Sequence, residues 1–504
     1  MKSTCRLGYV SRRGGVSFKF LQFALCISAI AVTGCGGNPS SSGSGSGSTG
    51  PINGESTKVA IQLSSTANDE FIHFNMEITN ISLTNKVGVT TTIFSTPTAV
   101  DFIPANGNAA PLVTVSVPQD VYTSAAVAVS SPSFSNVSMT PQGGIDFNTD
   151  AYGYTPTPPV VNLASPITVE GTSMGLILNL QAAQSGSYTG LQPNQTAYTI
   201  NPAFDLTPFN IPAEATTALN GKCIGMAGQV TAVDTATNSM TVTVPGNPAT
   251  GNPSFNVALD ANTVLQGIAS ASSLSAGTLI NMDIALQPDA TYAATRVEVP
   301  DATATNVVTG EIAFIDPSYN VLSTAVMQEL GSILSVQPVG MGYEYAYQGA
   351  VKYQTSARFP SLSSLPFKAN FSSATVAAGE MVSIGSTSIS YTGGTWTLPT
   401  SVTLVPQTID AVVNGVSTSG QYTIYTVELA PYDLIAQMNS PLGPAVTTIL
   451  PNAITVYVYT DAGTSLLNST ALGVGGTFRF NGLLFNDSGV LRMVSDQVND
   501  GVAQ

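Results

Sequence analysis

Two features of this sequence could carry nucleophilic chemistry: a serine in a Gly-x-Ser-x-Gly spacing and a single histidine. Ser173 lies in Gly171-Thr172-Ser173-Met174-Gly175, the spacing of the nucleophile elbow, in which small neighbours let the serine occupy a strained turn between a strand and a helix. Residues 176–180 alternate like a strand, however, and His73 precedes the serine, whereas hydrolases with this elbow place histidine last. The pattern therefore predicts a β-turn and not an esterase site.

The sequence offers little to a metal or a cofactor. One histidine excludes a His-rich zinc site, and His73 is predicted to be a strand residue. Clustered oxygens at residues 146–150 and 486–489 suit calcium, but no EF-hand spacing is present and such segments are typical of turns. A Gly-Lys-Ser phosphate loop and a dinucleotide-binding fingerprint are absent. We therefore expect no metal and no cofactor.

An aromatic array is the clearest candidate for ligand binding. Tyr343, Tyr345 and Tyr347 alternate with other residues, which places them on one face of a predicted strand. Exposed rings would form a stacking platform for sugars or bases, whereas inward rings would belong to a core or an interdomain contact. We favour the inward arrangement because tyrosine is a normal strand residue. Trp396, the only tryptophan, lies near a predicted turn, where a binding anchor and a packed ring fit the sequence equally well.

The N-terminal segment has the pattern of an export signal. Five of the 14 basic residues and none of the 29 acidic ones lie within residues 1–34. An apolar run of about 13 residues at positions 20–32 is shorter than the ~20 residues of a membrane-spanning helix. We therefore expect residues 1–34 to be a signal peptide that is removed after export.

The apolar run ends in Val32-Thr33-Gly34-Cys35, which resembles the lipobox of bacterial lipoproteins. The resemblance implies cleavage before Cys35 and lipidation of its thiol, so that the membrane is a partner through a lipid anchor. Gly36 is not the Asp that typically retains such proteins at the inner membrane, which favours the outer membrane. The alternative is an ordinary signal peptide that ends at a chance cysteine.

Cysteine usage agrees with this interpretation. Cys5 and Cys26 would leave with the signal peptide and Cys35 would carry lipid, so only Cys223 remains and no internal disulfide can form. Cys223 begins an apolar run. We expect it to be a buried, inert residue and not a reactive thiol.

Composition and charge exclude other classes of protein. Hydrophobic residues make up 43% of the chain and charged residues 9%, which rules out disorder of the whole chain. The formal net charge is −15 at pH 7. A surface of this sign repels phosphate backbones and anionic lipid headgroups, so we expect neither nucleic-acid binding nor electrostatic docking on a membrane.

Hydrophobic periodicity predicts an all-β fold. Residues 35–55 are rich in Gly and Ser and are predicted to be a flexible tether. From Thr57 onward apolar residues alternate with polar ones, and turn residues punctuate the segments. We expect an N-terminal β-sandwich at residues 56–212.

The C-terminal part contains an internal repeat with a period of about 80 to 100 residues, a length that suits tandem small domains. Each copy has an opening strand, a later glycine before a strand, and a closing strand. The opening strands lie at 228–234, 310–316 and 409–413, the glycines are Gly277, Gly379 and Gly475-Gly476, and the closing strands lie at 296–299, 401–404 and 496–498. We expect about three tandem small antiparallel β-barrels at residues 222–305, 306–407 and 408–504.

Two stretches resemble uncharacterised families of bacterial lipoproteins. Residues 222–504 resemble recurrent domains that form small closed or nearly closed β-barrels, most closely at 261–264 and 274–278. Residues 56–212 resemble a second family with a prealbumin-like or immunoglobulin-like sandwich, most clearly at 115–124. The resemblance implies fold and location, and it implies no reaction, cofactor or functional residue.

Three hypotheses follow from the sequence. The first is a non-catalytic, lipid-anchored envelope protein with a structural or binding ectodomain that contacts other envelope proteins. The second is a surface lipoprotein that binds neutral polysaccharides through the tyrosine face. The third is a hydrolase in which two of the scattered carboxylates converge, although solvated carboxylates that provide solubility are the interpretation we favour.

Overall fold

The computed structural model describes residues 54–66, 71–105, 107–139, 145–150, 159–189, 197–211, 221–245, 253–316, 321–331, 342–346, 351–359, 362–387, 399–429, 454–467 and 472–500. Within these ranges the regular structure is almost entirely β-strand. The one α-helix in them, α1 (Ala182–Ser185), has four residues, and 3₁₀ turns lie at Ile103–Ala105, Ala271–Ser273 and Leu362–Ser364. The all-β prediction is confirmed.

The first domain is a sandwich of two sheets, as predicted. Its strands are β1 (Ser56–Ser65), β2 (Phe71–Asn85), β3 (Thr90–Phe94), β4 (Thr98–Asp101), β5 (Ala110–Pro118), β6 (Asp120–Met139), β7 (Ile145–Asp150), β8 (Val160–Asn162), β9 (Ile167–Val169), β10 (Ser173–Leu180), β11 (Gly186–Thr189), β12 (Ala197–Ile200) and β13 (Ala203–Phe209). One sheet has the order β5-β1-β10-β13-β8. The other has the order β3-β2-β6-β7, with β4 beside β2 and β9 beside β6, and β11 and β12 form a small hairpin. Because β1 and β10 run parallel, the first sheet is mixed.

Period-two alternation supplies the sandwich core. Ile61 of β1 and Leu178 of β10 face Met76 and Ile78 of β2, and all four are fully buried in one apolar cluster. The two sheets are joined at a tight corner, because only Gln119 separates β5 from β6. There the buried Tyr122 donates its hydroxyl to the Pro118 carbonyl oxygen over 2.9 Å, an arrangement like the tyrosine corner of other sandwiches.

Three six-stranded units follow the sandwich. Barrel 1 contains β14 (Lys222–Asp234), β15 (Ser239–Thr243), β16 (Ser254–Ala258), β17 (Val264–Gln266), β18 (Leu279–Leu286) and β19 (Tyr292–Glu298). Barrel 2 contains β20 (Asn306–Asp316), β21 (Val321–Gly331), β22 (Gly342–Ala346), β23 (Lys352–Thr355), β24 (Met381–Ser386) and β25 (Ser401–Leu404). Barrel 3 contains β26 (Gln407–Ser419), β27 (Tyr422–Leu429), β28 (Thr455–Thr460), β29 (Ser465–Leu467), β30 (Thr477–Asp487) and β31 (Val490–Asp500).

The three units share one strand order. In barrel 1 the order is β16-β15-β14-β18-β19, and a parallel pair between β16 and β19 closes it into a five-stranded barrel, with β17 added beside β19. Barrel 3 closes in the same way through β28 and β31, and barrel 2 has the equivalent order β22-β21-β20-β24-β25-β23. A five-stranded Greek-key barrel with this order is the OB fold, a scaffold that serves many functions.

The repeated glycine has a structural cause. Gly277, Gly379 and Gly475 have φ values of +93°, +89° and +84°, a region that glycine adopts without strain. In barrel 1 the Gly277 N–H donates to the Val230 carbonyl oxygen over 2.8 Å, and barrels 2 and 3 have the same bond to the first strand at 2.8 and 2.7 Å. The turns before β18, β24 and β30 are therefore each hydrogen-bonded to the first strand of their own barrel.

The domains share parts of their cores. Phe209 of the sandwich packs into the core of barrel 1, while Leu483 and Phe485 of β30 pack into the core of barrel 2. Alternate residues of the same strand, such as Leu484, face the core of barrel 3. The described residues accordingly form one compact unit, Gly50–Gln504, and not a string of separate domains.

This difference between the barrels predicts different behaviour of isolated fragments. Residues 221–301 should fold alone, with lower stability than in the full chain, because barrel 1 is closed and keeps its own core residues while it loses Phe209 and the polar contacts with the sandwich and barrel 2. Residues 303–405 should show no cooperative melt, because Leu483 and Phe485 are missing from the core. Circular dichroism of both fragments during heating measures this. A cooperative transition for the second fragment, or none for the first, would contradict the prediction.

Candidate functional site at the junction of the domains

A cavity of about 220 Å³ lies where the sandwich meets the three barrels. Every domain contributes to its wall, including Asp101, Ile103 and Asn108 from the sandwich, Gly225 and Arg296 from barrel 1, Glu311 and Arg358 from barrel 2, and Thr408 and Asn481 from barrel 3. Pockets for drug-sized ligands usually measure about 300–1,000 Å³. This cavity therefore suits water or a very small molecule.

A buried arginine organises the barrel 1 side of the junction. The guanidinium of Arg296 donates from Nε to Asp283 over 2.8 Å and from a terminal nitrogen to the other Asp283 oxygen over 3.2 Å. Its other terminal nitrogen donates to Glu298 over 2.7 Å. Strand alternation places Arg296 and Glu298 on one face of β19, and Asp283 is the cross-strand partner of Arg296.

The same cluster holds a segment of barrel 2. Glu298 accepts hydrogen bonds from the Ser356 hydroxyl and from the Ala357 N–H, both over 2.9 Å. Gln266 of barrel 1 donates to the Ala357 carbonyl oxygen over 2.7 Å. These contacts fix the start of the loop that carries Arg358.

Arg358 links the three barrels. Its side chain is 10% exposed and forms an ion pair with Asp496 of barrel 3, while its charge also acts on Asp283 of barrel 1. Burial raises the pKa of Asp283, but the charge of Arg358 and the hydrogen bonds from Arg296 outweigh burial and bring the pKa below its ordinary value. Burial raises the pKa of Asp496 above its ordinary value, although Arg358 opposes this, and the nearby Asp283 adds to the increase. The charge of Arg358 thus attracts both Asp283 and Asp496, two carboxylates that repel each other.

The sandwich contacts the barrels through the turn that follows its 3₁₀ segment, Ile103–Ala105. Asn108 accepts a hydrogen bond from the Ile224 N–H over 3.0 Å and donates to the carbonyl oxygen of the same residue. Gln497 of barrel 3 donates to the Gly107 carbonyl oxygen over 3.2 Å. Arg479 of barrel 3 donates to the Ser65 carbonyl oxygen over 3.2 Å. Side-chain amides and guanidinium groups therefore bond to backbone oxygens across each of these domain boundaries.

Two buried glutamates lie in barrel 2, one in β21 and one just before β24. Glu329 and Glu380 are each 1% exposed. Burial raises the pKa of Glu329 to about 8, and its two oxygens have no hydrogen-bond partner among the described residues. Burial also raises the pKa of Glu380 to about 8, although it accepts hydrogen bonds from the Ala377 and Asn486 backbones. Both carboxyl groups are consequently protonated at neutral pH.

The residues that resembled a hydrolase site are used elsewhere. Ser173 begins strand β10 and donates its hydroxyl to the Pro288 carbonyl oxygen, so the segment is a turn followed by a strand, as predicted. His73 lies in β2, as predicted, and its Nδ1 is 2.7 Å from an Asp101 oxygen. The other Asp101 oxygen accepts the N–H groups of Phe74 and Ile103, which fixes the chain next to the cavity.

Cys223 and the two segments of calcium-like composition also have structural roles. Residues 146–150 lie in strand β7 and not in a turn, which corrects the prediction, whereas residues 486–489 lie at the turn between β30 and β31, as predicted. Cys223 is fully buried, burial raises its pKa, and its sulfur accepts a hydrogen bond from Gln62 of the sandwich over 3.4 Å. In the turn at 486–489, Asn486 accepts the Gly489 N–H and Asp487 pairs with Arg492. No group of three metal-ligating side chains occurs among the residues whose placement is described.

The structure describes only some of the other predicted site residues. Tyr343 and Tyr345 lie in β22, where the antiparallel register pairs them with Thr324 and Leu322 of β21, both fully buried residues. Tyr347, Trp396 and Cys35 lie outside the described residues, as does the tether. Glycan binding by these aromatic residues therefore remains a prediction.

Only part of the charged network could have been recognised in the sequence. Arg296 and Glu298 stand two residues apart in an apolar strand, a spacing that could have been recognised as a paired charge on one face. Arg358 lies outside a regular strand, and 138 positions separate it from Asp496. No local pattern connects them.

Comparisons with known proteins add no family to this geometry. No family model matches the chain, and no curated protein matches it. A copper(II)-bound variant of CusF from Escherichia coli is similar to it at 13% identity, with 18% of this chain and 99% of that chain covered and a TM-score of 0.13. A deletion variant of the single-stranded DNA binding protein from Thermus aquaticus is similar at 8% identity, with 40% and 94% covered and a TM-score of 0.14. At these scores neither likeness informs the function of this chain.

Among the residues whose structure is described, no helix is long and apolar enough to cross a membrane.

Loss of the linking arginine should weaken the whole assembly. Arg358→Met keeps the apolar part of the side chain but leaves Asp496, whose side chain is 27% exposed, without its cation, so we expect a loss of about 1–3 kcal/mol in the free energy of unfolding at neutral pH. Lys352→Met, an exposed change of the same charge in barrel 2, should cost no more than about 0.5 kcal/mol. Urea denaturation compares the two variants. Equal stability would show that the ion pair is dispensable.

The buried glutamates predict that stability falls as pH rises. In the folded protein Glu329 and Glu380 have a pKa of about 8, whereas the ordinary pKa of a glutamate in an unfolded chain is 4.5. Unfolding therefore releases protons between these values, and each group lowers stability by up to ~1.4 kcal/mol per pH unit there. The shift of Asp301, to about 2, acts at lower pH and does not interfere.

Substitution separates this effect from other titrations. Glu329→Gln should reduce the slope of unfolding free energy against pH across this window, whereas Glu170→Gln, an exposed change, should leave the slope as it is. Denaturation at several pH values between 5 and 8 provides the measurement. A slope that Glu329→Gln does not alter would disprove the assignment.

Proposed function

We propose that this chain is a lipid-anchored protein of the bacterial outer membrane whose β domains form a rigid, non-catalytic ectodomain with a structural or binding role. The observation that carries the proposal is the order of parts along the chain. An apolar run ends at Cys35, a Gly/Ser tether follows, and the remaining chain is built from β domains joined by a buried polar network.

The chemistry of the junction supports a structural role. Arg296, Arg358 and Asp496 are reactive or charged groups of the kind that active sites use, yet their bonds run from one domain to the next or within the supporting cluster. Gln497 and Asn108 likewise bond to backbone atoms of a neighbouring domain. Side chains that bond to a neighbouring domain in this way hold the domains at fixed positions.

The architecture also suits a body held close to a surface. A coil of 20 Gly/Ser-rich residues spans roughly 25 Å. A tether of this length would keep the ectodomain near the membrane, while the shared cores keep its own domains together. The ectodomain would then present one fixed surface to other envelope components.

The anchor has a direct test in cells. Cys35→Ser removes the thiol that would receive lipid, so the protein should move from the membrane fraction to the soluble periplasmic or secreted fraction and lose labelling by radioactive palmitate. Cys5→Ser, a change within the predicted signal peptide, is the matched control and should leave the protein attached and labelled. A Cys35→Ser protein that is processed yet stays in detergent-extracted membranes would refute lipidation.

A further inference from the structure

Two exposed valines stand at the tip of the hairpin between β2 and β3. Val87 is 46% exposed and Val89 is 57% exposed, and Lys86 and Gly88 beside them are also exposed. The other large hydrophobic residues exposed to this degree in the described part of the chain are Val160, Val264, Val416 and Val474. Those four lie singly, which is ordinary for a protein surface. Two such residues on one tip call for a physical explanation.

The hairpin tip is held in a fixed conformation. The buried Asn85 accepts the N–H groups of Val87 and Val89 with its side-chain oxygen, over 3.1 and 2.8 Å. Its backbone N–H donates to the Val89 carbonyl oxygen over 3.0 Å, and Gly88 has φ +86°. Both valines are therefore presented outward before any partner arrives, which lowers the entropy cost of binding.

The hairpin tip lies at the end of the sandwich where the tether joins. The Gln119 N–H donates to the Glu55 carbonyl oxygen over 3.0 Å, so the corner between β5 and β6 contacts the start of the described chain. The next residue, Asp120, accepts a hydrogen bond from Asn85 over 2.7 Å. Glu55 and the hairpin tip are thus on facing sheets at one end of the sandwich, and packed sheets lie about 10 Å apart.

We propose that this end of the sandwich rests on the bilayer and that Val87 and Val89 insert between the lipid headgroups and the acyl chains. The inference rests on the proposed lipid anchor, which makes the bilayer the surface closest to the tether. A short tether, as the Gly/Ser-rich sequence predicts, would raise the effective concentration of the hairpin tip at the bilayer to the millimolar range, so two valines suffice for a contact that a free protein would not keep. The acidic protein gains nothing from anionic lipid, so insertion is apolar and independent of salt.

Tryptophan fluorescence tests the contact on the mature chain, residues 35–504. A maleimide lipid is coupled to Cys35 in phosphatidylcholine vesicles, and the fully buried Cys223 stays unmodified. In a Trp396→Phe background, Val87→Trp is compared with the matched control Val416→Trp, an exposed valine in barrel 3. Val87→Trp should shift to the blue and lose most of its emission to lipids brominated near the headgroup, and Val416→Trp should change little.

Two results would overturn the inference: Val87→Trp emission that matches the uncoupled protein, or equal quenching of both positions. A second variant controls for the affinity of tryptophan for membranes. Adding Val89→Asp to Val87→Trp places a charge at the insertion depth and should remove most of the quenching, with an unchanged melt because both positions are exposed. Undiminished quenching would assign the contact to the probe and reject it.

Chemical coupling separates this inference from the proposed function. Loss of lipidation in cells is decided by Cys35→Ser, whereas the fluorescence experiment supplies the lipid itself. A hairpin tip that stays in water on coupled vesicles rejects insertion while the anchor stands. Insertion on vesicles, together with a Cys35→Ser protein that remains membrane-bound in cells, would reject the anchor alone.

Discussion

The position of the Arg358 guanidinium is the constraint on which the assembly depends. It pairs with Asp496 of barrel 3 and lowers the pKa of Asp283 in barrel 1, while its own loop is held by Glu298. Isolated burial of so many charges would be strongly unfavourable, and only the complete set of partners makes it tolerable. The charges therefore favour one arrangement of the barrels over others that would bury equal apolar area.

Hydrophobic contacts supply the other part of this arrangement. Apolar side chains from one domain complete the core of the next, as Phe209 does for barrel 1 and Leu483 does for barrel 2. These contacts are nondirectional, whereas the hydrogen bonds of Asn108 and Gln497 fix orientation. Together they explain why small barrels, each with a limited core, form one compact unit.

The sequence predicted the fold class because its signals are local. Alternation in β1 and β10 marks buried faces, and Gly277, Gly379 and Gly475 mark a backbone conformation that other residues adopt only with strain. The candidate site could not be predicted in the same way. Its central contact joins Arg358 to Asp496, and nothing in either neighbourhood indicates the other. Only the Arg296 and Glu298 pair could be recognised in the sequence, because its two-residue spacing places both charges on one face of β19.

The shared core of barrel 2 also sets an order of events during synthesis. Its first strand, β20, begins at Asn306, but Leu483 and Phe485 leave the ribosome well over a hundred residues later. Barrel 1 can close as soon as β19 is available, whereas barrel 2 must wait with an incomplete interior. During that interval its unpaired strand edges are open to wrong pairing with other chains. A cell that makes this protein needs to protect the nascent second barrel until the hairpin of β30 and β31 has been synthesised.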